Sequence, residues 1–253
     1  MKKVTLLCGL LLALSATVAS AAQGVNLRWL ACLGDGGAFN RNFACNTNTG
    51  TSNVMVGSFE LGADLENVSG NEIVVDLAAD APVLPAWWEI RAPGVCRSTS
   101  LSFNVAISPL AVNCADWGNG QATGGIGAYV IGVGGPNTAR MIAASAVPPG
   151  ALSELFAGQE YFSFNAIVNN AKTVGTGACA GCQVPVCIVF NSLNLTTPVA
   201  ANNRKLSGPT NGTDSNFCTW QGGGNPGGPR GTGCPGATPT RSSTWGTVKS
   251  LYR

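Results

Sequence analysis

Histidine is missing from all 253 residues. That absence removes Ser-His-Asp and Cys-His catalysis in their usual forms. It also removes His-ligated zinc and imidazole acid–base chemistry. An enzyme built on this chain would have to work with carboxylates, tyrosine, lysine or thiols. Charge is scarce as well: only 10% of residues are Asp, Glu, Lys or Arg, and 14 cations stand against 12 anions. Without a basic cluster there is nothing to displace phosphate counterions, so nucleic acid is not an expected partner. An anionic membrane surface is not expected either.

The start of the chain reads as an address. The basic "MKK" precedes the apolar "VTLLCGLLLALSATVA" and the small residues "ASAAQ". This is the three-part plan of a secretory signal peptide, with cleavage after Ala21 or Ala22. The apolar run is short of the ~20 residues that span a bilayer. Residues 1–22 are therefore set apart from the fold, and with Lys2 and Lys3 removed the net charge is close to zero. The remainder is long enough for one large β domain.

Alternation of period two dominates that remainder. "SLSFNVAI" places Leu101, Phe103, Val105 and Ile107 on one face, and "NEIVVDLAA" does the same with Ile73, Val75 and Leu77. "EYFSFNAIVNN" is expected to bury Phe162, Phe164, Ala166 and Val168. "PVCIVFNSLNL" is apolar throughout and reads as a central strand, while "NVMVGSFEL", "GGIGAYVIGV" and "ARMIAASAV" complete the set. Gly- and Pro-bearing turns separate these runs, and "ALSELFAG" reads as one helical turn. The pattern predicts an all-β, antiparallel β-sandwich of the cohesin or jelly-roll kind over residues 23–206. Residues 207–253 contain "QGGGNPGGPRGTGCPGATPT" and read as an irregular, disulfide-pinned segment on the same domain. The closing "SSTWGTVKSLYR" has the makings of a short helix capped at Ser243 or Thr244.

"GSFELGADLENVSGNEIVVDL", "LPAWWEIR", "AGQEYFSFNAIVNNAKTVGTGACAGC" and the ending "TWGTVKSLYR" resemble a set of uncharacterised secreted proteins of environmental bacteria. The resemblance implies export and no known activity. A more distant likeness, in strand plan, is to cohesin-type and carbohydrate-binding β-sandwiches. It implies a fold and says little of function.

Ten cysteines are present, and Cys8 lies in the leader. Export leads to an oxidising compartment, so the remaining nine are expected as staples. Local bracketing suggests Cys32 with Cys45 and Cys96 with Cys114, each closing a short loop worth roughly 3 kcal/mol. Two further bridges are expected among Cys179, Cys182, Cys187, Cys218 and Cys234, at least one through Cys218 or Cys234. The leftover thiol is free or joins another chain. "CAGCQVPVC" offers three thiols and no histidine to complete a zinc site, and no helix follows to activate a redox C-x-x-C.

Trp87 and Trp88 are adjacent. In a strand one would enter the core and the other would face out, available to stack on a sugar; the alternative is burial of both beneath a loop. Glu60, Asp64, Glu66, Glu72, Asp76 and Asp80 lie close in sequence and could supply a glycosidase pair, but read more simply as edges and turns. Asp76 is expected to bond backbone amides. No Asp-rich calcium loop is evident. "GVGG" and "QGGGNPGG" lack the Lys-Ser/Thr of a phosphate loop. "NVS", "NLT" and "NGT" match the glycosylation sequon, a frequent match in an Asn/Thr-rich chain.

The sequence thus points to an extracellular, non-enzymatic binding or structural protein that needs no cofactor. A polysaccharide or another surface protein is the expected partner. A carbohydrate-binding module using Trp87 or Trp88 is the alternative, and a carboxylate-based hydrolase the third reading. Intact-mass measurement of exported material is expected to show a new N-terminus between Ala21 and Gly24. Full-length chain in the membrane pellet would contradict export.

Overall fold

The computed structural model describes residues 22–222. The leader through Ala21, Cys234 and the expected terminal helix lie outside the described residues. The strands are β1 (Gly24–Trp29), β2 (Asn40–Arg41), β3 (Asn53–Glu60), β4 (Leu65–Val68) and β5 (Gly70–Ala79). They continue with β6 (Leu101–Asn104), β7 (Ala115–Asp116), β8 (Thr123–Ile131), β9 (Thr138–Ala146) and β10 (Ser153–Leu155). The last are β11 (Tyr161–Val168), β12 (Val186–Thr196), β13 (Arg204–Ser207) and β14 (Phe217–Trp220).

Two sheets face each other. One runs β1-β3-β11-β6, with β7 added beside β11; the other runs β2-β14-β12-β5-β9-β8, with β13 also on β12. The long pairings are antiparallel, and the expected all-β sandwich is what forms. β12 is central as its composition predicts, with β5 on one side and β13 and β14 on the other. Between the sheets lie Leu27, Met55, Phe59, Ile73, Val75, Leu77, Phe164, Ile188 and Phe190. The Phe164 ring lies across Gly57, where a Cβ would sit 2.1 Å from Cε1. Any side chain at 57 would drive that ring out of the core.

Three local expectations change. The sandwich does not stop at residue 206, because β14 belongs to the second sheet and supplies the buried Trp220. The segment leading into β14 also closes one side of the sandwich: Val25 N–H donates to the Gly208 carbonyl and Leu27 N–H to that of Ser215. "ALSELFAG" forms strand β10 on β4, not a helical turn. Within β11 a bulge between Phe162 and Phe164 reverses the alternation. Phe164, Ala166 and Val168 enter the core as expected. Phe162 turns to the opposite face, against Val56, Cys32 and Cys114.

The cysteines are staples, with a different connectivity from the local one. Cys32 joins Cys114, Cys45 joins Cys182, and Cys96 joins Cys179. The expected Cys32–Cys45 and Cys96–Cys114 pairs are therefore absent. Neighbours in sequence lie at different places on the sandwich, and each loop is fastened to a distant one. Cys187 is also disulfide-bonded. Cys218 carries a free thiol on β14, where burial pushes its pKa up and keeps it protonated. The expected link from the cluster to the C-terminal segment does not run through Cys218, and its alternative, Cys234, lies outside the described residues.

The bridged residues are separated by 82, 137 and 83 positions. Closures of this span stabilise by about 4.5–5 kcal/mol apiece in the chain-entropy model, and less in sum because the loops overlap. Such bridges fit an oxidising compartment. Among the described residues, no helix is long and apolar enough to cross a membrane. Non-reducing peptide mapping is expected to return these three pairs, with Cys218 alkylated only after denaturation. Recovery of a Cys32–Cys45 peptide, or rapid native labelling of Cys218, would contradict the arrangement.

Candidate functional site

The two tryptophans do not form a platform. "PAWW" folds as a single 3-10 turn over Ala86–Trp88, entered from Pro85, so strand alternation does not apply. Both side chains are fully buried, at 0% exposure, and neither is available to a sugar. Trp87 stacks on Trp220 with centroids 5.0 Å apart, and Trp88 meets both edge-on at 5.0 and 5.5 Å. Trp29 and Phe43 complete the cluster around Trp220. Trp87 Nε1 donates to Thr173 Oγ1 and Trp220 Nε1 to the Cys182 carbonyl. Trp88 Nε1 is buried without a hydrogen-bond partner.

Arg97 lies over the Trp87 ring at 3.7 Å. Its guanidinium donates to the carbonyls of Trp87, Asn169 and Ala171. No carboxylate pairs with it among the described residues. Burial pushes its pKa down to about 10, against the opposing pull of Tyr129. Tyr129 Oη in turn donates to the Trp88 carbonyl at 2.8 Å. These groups seal the two indoles from solvent.

Three of the clustered carboxylates have partners of their own. Asp76 takes a bidentate contact from Arg140, at 2.6 and 2.8 Å, and a further bond from Asn191. Those partners are side chains, not the backbone amides expected for it. Glu72 accepts from Asn194, and Asp64 from the Ala157 amide. Each of these three acids is engaged by a separate partner.

A cavity of about 460 Å³ opens elsewhere, on the outer face of the first sheet. Its floor is made by Val54 and Val56 of β3, Phe162 and Ile167 of β11, and the amides Asn104 and Asn165. One wall is the turn at Leu30, Ala31, Cys32 and Asp35; the other is the loop at Ile107, Ser108, Leu110 and Ala111. The Cys32–Cys114 bridge fastens the two walls together. At the rim stand Leu30, 49% exposed, and Leu110, 85% exposed, with Val112 beside them at 86%. Aliphatic side chains this open, grouped round an apolar groove, are the kind of surface that marks interaction sites.

Two carboxylates hold the Leu30 wall. Glu160 is buried and accepts from the Leu33 and Gly34 amides at 3.0 and 2.7 Å, and from Ser58 and Asn26. Asp35 Oδ1 accepts from the Val112 and Asn113 amides at 3.0 and 2.8 Å. Burial opposes ionisation of Asp35, yet the amides of Asn113, Val112 and Cys114 hold its pKa below the ordinary value. Cys32, Asp35 and Cys114 lie within 4.8 Å of one another. The two sulfurs are bonded to each other and offer no thiolate, so the trio is a loop clamp and not a metal site.

No family model matches the chain, and no curated protein matches it. The groove therefore stands on its own geometry. Sequence reasoning passed it over, although "NVMV" carries apolar residues on both parities. A strand apolar on both faces has something covering its outer side, or something meant to.

Replacing either Trp87 or Trp88 by Ala is expected to cost about 3–5 kcal/mol, since each empties a fully buried indole site. Denaturant titration reads this directly. A near-neutral outcome for either would contradict that burial.

Proposed function

We propose that this chain is an exported bacterial protein whose disulfide-stapled β-sandwich acts by binding, not catalysis, at or outside the cell surface. The observation that carries the reading is the groove on the outer face of the first sheet, lined by exposed Leu30 and Leu110, with exposed Val112 two residues on from Leu110. A rigid floor of paired strands and two walls tied by a disulfide form a preorganised surface, so little ordering cost falls on association. The partner is another protein. Sugar platforms rest on exposed aromatic faces, whereas the groove's one ring, Phe162, is buried in its floor. The secreted proteins that the sequence resembles, and the export address at its start, support the location.

Labelled mature protein is expected to bind the surface of the producing cells saturably. The double variant Leu110→Asp/Val112→Asp is expected to lose at least tenfold in affinity with an unchanged melting temperature. Insoluble polysaccharides are expected to retain neither form. Undiminished binding by the folded double variant, or its equal retention on polysaccharide, would overturn the reading.

A further inference from the structure

Asp35 alone is charged among the fourteen residues that line the groove. Its Oδ1 is taken up by the amides of Val112 and Asn113, while its Oδ2 is buried with no hydrogen-bond partner. No cation is paired with it among the described residues. On the other side of the same turn Glu160, which does not line the groove, accepts the Gly34 amide. The Arg28 guanidinium donates to the Phe217 carbonyl, lies 3.8 Å from Asp214 and also attracts Glu160, so Asp35 is the charge that the groove itself presents. A group entering at this end meets the negative charge of Asp35, which is part-exposed in the groove wall.

We infer that the groove takes a segment of a partner protein whose apolar side chains lie along Val54, Val56 and Ile167 and whose lysine or arginine sits at the Asp35 end. The inference rests on the groove being the binding surface. The apolar floor supplies contact area for any aliphatic segment. The carboxylate supplies the choice among segments: a cation is favoured, an amide is neutral, and an acid is repelled. Because the Cys32–Cys114 bridge and the two amide bonds fix Asp35, the charge is positioned before the partner arrives.

The mature protein is titrated with three acetylated, amidated heptapeptides of sequence Thr-Leu-Val-X-Ile-Leu-Thr, where X is Lys, Gln or Glu. The Lys peptide is expected to bind about tenfold tighter than the Gln peptide, and the Glu peptide more weakly than either. The Lys preference is expected to shrink as salt is raised. Asp35→Asn keeps an Oδ1 acceptor for the two amides and is expected to bring the Lys peptide to the level of the Gln peptide; its melting temperature falls modestly, because the amides favour the ionised carboxylate, and circular dichroism verifies the fold. Intact mass verifies that Asn before Gly36 has not deamidated. Equal binding of all three peptides, lost in Leu110→Asp/Val112→Asp, would keep the binding surface and overturn the cationic preference. A Lys preference that survives in Asp35→Asn would remove Asp35 from its role. Absence of binding by every peptide would overturn both readings.

Discussion

The structure depends on closing loops over long stretches of chain. A sandwich of short strands leaves its connections on the surface, where each costs entropy to hold and has little core of its own. Here three bridges between residues more than eighty positions apart do the holding. Two of them converge on the connection between β11 and β12: Cys179 and Cys182 each fasten it to a different distant loop. Gly181, between them, takes a φ of +105° and lies so near Pro85 that a Cβ would come within 2.2 Å of it. The spacing C-A-G-C is thus a two-way clamp with a glycine where the chains meet. Its cysteines neither bind metal nor pair with each other.

The same clamp explains how the tryptophans are buried. Trp87 N–H donates to the Ala180 carbonyl, inside the clamped connection, and Trp220 Nε1 reaches the Cys182 carbonyl. Arg97, next to the bridged Cys96, draws the Trp87, Asn169 and Ala171 carbonyls together. A guanidinium buried without a counterion is costly to desolvate. Three carbonyl acceptors and an indole face offset that cost, and they fix where the 3-10 turn sits. That aromatic surface is committed to packing, while the apolar groove lies on the outer side of the first sheet.

How far this was legible in the sequence follows from what each signal depends on. Alternation reports which faces of a strand differ, so β5 is readable from it, and the unbroken apolar run of β12 marks the central strand. Alternation fails where the backbone breaks period two, and the bulge in β11 moved Phe162 out of the core and into the groove floor. Pairing of cysteines depends on the meeting of loops in space, which spacing does not report; hence Cys32 was assigned to Cys45 and not to Cys114. "PAWW" was read as strand although Pro82 and Pro85 flank it, and a turn makes both side chains buriable. The groove needed β3, β11 and two loops to be assembled at once, and only the doubly apolar "NVMV" hinted at it.

An exposed leucine alone would mean nothing, because apolar atoms make up more than half of any protein surface. Leu110 and Val112 mean more for three reasons. The loop that carries them is not loose: Asp35 holds the Val112 and Asn113 amides, and Cys114 is bridged. It also has an alternative at hand, since an apolar groove lies beside it, and folding Leu110 inward would remove apolar surface from water at about 25 cal/mol per Å². The loop is instead tethered so that the groove stays open and the side chains stay out. In a chain whose solubility rests on Gly, Ser, Thr and Asn more than on charge, an open apolar surface is costly to carry. A disulfide and a fixed carboxylate hold the loop that carries it, which separates this surface from an ordinary irregularity of a loop.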